Sequence, residues 1–143
     1  MATYSSSQYA NYTAVPATLV KPNELGGRKR AAYFSVTTSA FASSGDTINL
    51  TTLPKGARVV GGRIAWAANA ASTTISVGYT GAATRFLGST AVGASAGAAD
   101  LANTVALNFG EELTAITVIV ATPGGATWTA GTSILGCVEY VID

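Results

Sequence analysis

The stretch LPKGARVVGGRIAWAA, residues 53–68, decides the fold, because it sets a turn, a strand and a pair of glycines in sixteen consecutive positions. Pro54 cannot donate to a β-ladder and Gly56 readily takes a positive φ, so PKG closes one strand and opens the next at about Arg58. In ARVVGGRIAWA a period of two puts Val60, Gly62, Ile64 and Trp66 on one face, the candidate core face. Val59, Gly61, Arg63 and Ala65 fall on the other. Glycine inside a strand marks a bulge or the close approach of another backbone, so Gly61 and Gly62 predict a bend or tight packing. Arg63 then points outward, while Lys55 and Arg58 flank the turn and are available to a partner. A phosphate loop would need a glycine-rich turn leading into a helix, and none follows.

Working outward, the same texture of short β-rich runs and turn signals fills the chain from residue 31 to residue 143. AYFSVTTSAF (32–41) is dense in β-branched and aromatic residues and is followed by the turn ASSGD. DTINLTTL (46–53) sets Ile48 and Leu50 against Thr47, Asn49 and Thr51. TTISVGYT (73–80) alternates Ile75, Val77 and Tyr79 against Thr74, Ser76 and Gly78, and GAATRFLG follows it. STAVGASAGAAD (89–100) reads as a long loop, with a helical turn as an option near residues 98–102. TVALNF (104–109) reads as a short strand. LTAITVIVAT (113–122) is apolar on both faces, as expected for a strand inside a sandwich, PGG as a turn, and SILGCVEYVI as the last strand. About eight strands with little helix predict an all-β protein, an antiparallel jelly-roll-like β-sandwich.

Residues 1–30 are different: polar, rich in Ser, Tyr, Asn and Thr, with Pro16 and Pro22 and no apolar period. They predict an extended N-terminal arm ahead of the sandwich domain. Four of the eight basic residues lie there, namely Lys21, Arg28, Lys29 and Arg30. The Arg28–Arg30 run reads either as a solvated hinge between arm and domain or as a contact for nucleic acid or an acidic surface.

Composition excludes several classes of function. The chain has 143 residues, 48% of them apolar and only 10% charged, with a mean hydropathy of +0.36. An average globular chain carries roughly 25% charged residues. So few charges predict a surface covered by partner subunits. The longest strongly apolar run, ITVIVA (116–121), is far short of the ~20 residues of a spanning helix, so no membrane partner is expected. A formal net charge of +1 argues against specific nucleic-acid binding. The start MATYSSSQYANYTAV has no secretory pattern, which predicts synthesis in the cytoplasm, and the single Cys137 reads as a small buried thiol.

No enzyme chemistry is legible. The absence of histidine excludes a Ser/His/Asp or Cys/His arrangement and removes the commonest metal ligand. Of the seven carboxylates only Glu111 and Glu112 adjoin, and neighbours on an extended chain face opposite ways, so they make no acid and base pair. No catalytic residue, cofactor or metal is therefore expected. Trp66 reads as core and Trp128 as a residue at a turn or interface, with a sugar-stacking platform as the alternative.

Three segments carry a resemblance. LPKGARVVGGRI resembles a segment recurrent in small virion proteins of tailed bacteriophages, ISVGYTGAATRFLG is similar to their next hairpin, and AGTSILGCVEYVI to their closing strand. The resemblance implies a structural protein of the phage head, a decoration or cement protein on the capsid exterior, made in the host cytoplasm. Its implied partners are the major capsid protein and further copies of itself, a trimer being favoured. The contact candidates are Arg28, Lys29, Arg30, Lys55, Arg58, Arg63 and Arg85. The alternatives are a tail- or fibre-associated glycan-binding module using Trp128 and residues 81–85, or a component of the head and tail connector.

Overall fold

The computed structural model describes residues 14–16, 27–38, 44–102 and 109–142. Its strands are β1 (Arg28–Thr37), β2 (Ile48–Leu53), β3 (Arg58–Trp66), β4 (Thr73–Tyr79), β5 (Ala82–Ala91), β6 (Gly97–Asp100), β7 (Thr117–Gly125) and β8 (Ser133–Ile142). They form two four-stranded antiparallel sheets, ordered β1-β8-β3-β6 and β2-β7-β4-β5. Successive strands alternate between the sheets except at the β4–β5 hairpin, which is the strand order of a jelly roll. No helix occurs among the described residues.

The core lies between the sheets. Phe34, Val59, Ile64, Ile134 and Val138 from the first sheet meet Leu53, Ile75, Val77, Phe86 and Ile119 from the second. Leu101 and Leu113, from the β6–β7 connection, seal one end, while Val92 and Trp128 sit in the connections at the other.

The opening stretch resolves in detail. Pro54 accepts a hydrogen bond from the Ala57 amide at 3.2 Å and Gly56 takes φ +84°, so PKG is the expected turn. β3 contains the expected bulge: its register against β8 shifts between Val59 and Gly61, leaving Val60 as the extra residue. That extra residue corrects the facing read from a strict period of two. Val59, not Val60, is fully buried, and the phase is restored only at Ile64 and Trp66. Gly61 and Gly62 have φ of +153° and +142°, conformations that L side chains rarely adopt, and a Cβ at Gly62 would lie 2.4 Å from the Cys137 carbonyl oxygen. The glycine pair therefore both makes the bulge and lets β8 approach.

Several other expectations change. β5 runs on to Ala91 and β6 occupies Gly97–Asp100, so only residues 92–96 of the expected long loop are a connection, and no helical turn follows. Residues 113–116 precede β7, which continues through the expected PGG turn. Pro123 is tolerated there because its carbonyl points away from β4 to accept from the Gly45 amide at 3.1 Å, and its missing N–H lies on that same side. β1 begins at Arg28, inside the segment read as an arm, with Arg28, Lys29 and Arg30 opposite Ile142, Val141 and Tyr140. The strand expected at 104–109 falls outside the described residues except for Phe109, which lies in a turn.

Candidate functional site

The seven basic candidates do not converge on one pocket, but most of them gather at one end of the sandwich. Register fixes this: Lys29 and Arg58 flank Val141 from either side, and the β2–β3 turn, the β4–β5 turn and the start of β7 lie at that same end. Arg28, Lys29, Arg30 and Lys55 are exposed there. Lys29 pairs with Glu139 at 2.7 Å. Arg63 stands apart, near the middle of β3 on the outer face of the first sheet, 3.9 Å from Asp100.

Arg58 and Arg85 are committed inside the molecule. Arg58 donates to the Gly110 carbonyl and, at 2.9 Å, to Glu112 Oε2. Arg85 makes a two-pronged contact with Glu111, at 2.8 Å from Nε and 2.7 Å from Nη2. The Glu111 carboxylate holds the Arg85 guanidinium above its ordinary range through those hydrogen bonds. Glu111 and Glu112 thus face opposite ways, as their adjacency predicts, and each serves as a structural anion. They were not among the contact candidates, and no sequence pattern pairs them with arginines 26 and 54 residues away.

On the outer face of the second sheet Val118 is exposed, Thr74 and Thr122 are half-buried, and Ser76 and Val120 are buried. Across the first sheet run two rows fixed by register: Tyr33, Cys137, Arg63 and Asp100, then Ser35, Leu135, Ala65 and Ala98. Tyr33 is 80% exposed and Leu135 54%. Together with Ala65 and Cys137 they line a shallow apolar groove of about 410 Å³. Cys137 lines this groove and is half-buried, not the core thiol expected, because odd-numbered residues of β8 face outward.

Trp128 is a correction as well. It is fully buried and is the largest fully buried side chain, so it offers no face for a sugar to stack on. Residues 82–85 of the proposed glycan loop belong to β5. Among the described residues, no group of three or more His, Cys, Asp or Glu side chains is placed to hold a metal ion.

No protein-family model matches the sequence, and no curated protein matches it. Solved structures do. A chain in the capsid asymmetric unit of cyanophage Pam1 superimposes with a TM-score of 0.68 at 23% identity, over 91% of this chain and 97% of that one. A chain in the capsid of Ralstonia phage GP4 gives 0.67 at 21% identity, over 82% and 86%. Almost end to end, then, this chain is similar in fold to chains that stand in two phage capsids.

Proposed function

We propose that the protein is a structural component of a phage head, a decoration or cement protein that binds the outside of the capsid shell and stabilises it. The observation that carries this reading is the near-complete coverage in both directions with a chain of a phage capsid. A fold shared over 91% of this chain and 97% of that one suits a subunit of the same size and build. The low charge fraction agrees, since a subunit embedded in an assembly needs little solvated surface of its own.

The basic end supplies the attachment. Arg28, Arg30 and Lys55 present exposed cations there, beside Lys29 in its pair with Glu139. These cations orient the subunit toward an acidic surface of the major capsid protein before short-range contacts form. Bound across the boundary between shell subunits, the protein resists expansion because separating those subunits must also break its own contacts. Residues preceding β1 extend the attachment onto the neighbouring subunit. The test is cosedimentation of the purified protein with capsids stripped of minor proteins. Saturable binding that weakens with rising salt supports the reading, and protein left in the supernatant at every ratio overturns it.

A further inference from the structure

We propose that the outer face of the first sheet, centred on Tyr33 and Leu135, is where a second copy of this chain packs. The proposal stands on three observations and does not depend on the capsid reading.

The first is the apolar centre of that outer face, where an exposed tyrosine and an exposed leucine stand beside the small residues Ala65 and Ala98. Two tall side chains beside a floor of small residues form a surface with both protrusions and hollows, suited to interlocking with another sheet.

The second is the edge of that sheet. β1 is an edge strand, and its segment Ala31–Thr37 contains no charge, no proline and no glycine. An uncharged, unbroken edge of this kind pairs with other chains unless something covers it. Tyr33 belongs both to the apolar face and to this edge, so one partner seated over Tyr33 shields both.

The third observation selects the partner. Around the apolar centre the face carries Lys29 with Glu139 and Arg63 near Asp100, two cations and two anions. A strongly acidic or basic partner would leave half of them opposed by like charge. Another copy of the same face offers both signs, and the formal net charge of +1 adds little repulsion between copies.

Cys137, the chain's one cysteine, lies in the groove and reports on it directly. The experiment uses the full chain in the absence of capsids. Absolute mass is measured by light scattering over a range of concentrations, and Cys137 is titrated in parallel with a maleimide. The variants are Tyr33→Lys and Leu135→Glu, with Thr52→Lys on the second sheet as control; all three sites are outward-facing, and circular dichroism checks the fold. The expected result is an oligomer in which labelling of Cys137 slows at least tenfold on association. Either groove variant should dissociate it and restore labelling, whereas Thr52→Lys should not. A wild type that stays monomeric with Cys137 reactive overturns the proposal, as does an oligomer whose mass both groove variants leave unchanged. Labelling that slows only when stripped capsids are added also overturns it, assigning the face to the shell while leaving the capsid reading intact. Failure to bind capsids with self-association present would have the opposite meaning.

Discussion

Glu111 and Glu112, adjacent in the chain, reach to different sheets: Glu111 to Arg85 of β5 and Glu112 to Arg58 of β3. The β6–β7 connection is thereby stapled across one open end of the sandwich, a position where neither sheet's ladder can hold the other. Backbone contacts reinforce it, with the Gly110 amide donating to Val59 and the Leu113 amide to Ala57. Arg58, with only 19% of its side chain exposed, is the better shielded of the two arginines. Arg58→Ala removes the donor to both Glu112 and the Gly110 carbonyl and should cost about 1–3 kcal/mol, read as a lower midpoint in urea unfolding.

The same contacts show the limit of sequence reading. That Glu111 and Glu112 face apart follows from extended backbone, but their partners lie 26 and 54 residues away and no local pattern names them. Arg58 looked available because turn-flanking cations usually are; its burial comes from a connection folding back over it. The sandwich class and the tight turn at Pro54–Ala57 were legible, since each rests on alternation or on the backbone rules of proline and glycine, whereas β6, in a Gly- and Ala-rich stretch without alternation, read as loop. Val60 illustrates why facing was only partly so. One inserted residue inverts every side chain before it, and the glycines announced a bulge without saying which residue would be extra.

Gly136, the one glycine of β8, should resist replacement. A Cβ there would lie 2.0 Å from the Arg63 carbonyl oxygen and 2.9 Å from the Phe34 ring, where backbone on one side and core on the other cannot yield. Gly136→Ala is expected to cost about 3 kcal/mol or more, or to prevent folding altogether. Gly88 on β5 is the matched control, because nothing lies within 4 Å of its Cβ position. Gly88→Ala should change stability by no more than about 0.5 kcal/mol in the same unfolding titration.

Trp128 separates a core role from a ligand role. Fully buried, it should lose about 3–5 kcal/mol on replacement by alanine, with Trp128→Phe considerably milder. Chemical unfolding of the two variants measures this. A sugar-binding tryptophan would behave in the reverse manner, leaving stability nearly intact and abolishing retention on a glycan array.

The start of β1 at Arg28 makes the proposed arm testable in two steps. Deleting residues 1–26 leaves every β1–β8 pair in place, from Arg28 opposite Ile142 onward. Thermal unfolding of that variant should match the full chain, while cosedimentation with stripped capsids should weaken, because the attachment assigned to these residues is gone. Deleting residues 1–30 goes further: it removes three residues of the ladder and the Lys29–Glu139 ion pair. That variant should lose stability as well as attachment, by about 1 kcal/mol or more for the lost ladder hydrogen bonds. The difference between the two deletions isolates the arm from the strand. Undiminished attachment of the 1–26 deletion would assign capsid binding to the sandwich alone, with the exposed cations of its basic end as the next residues to substitute.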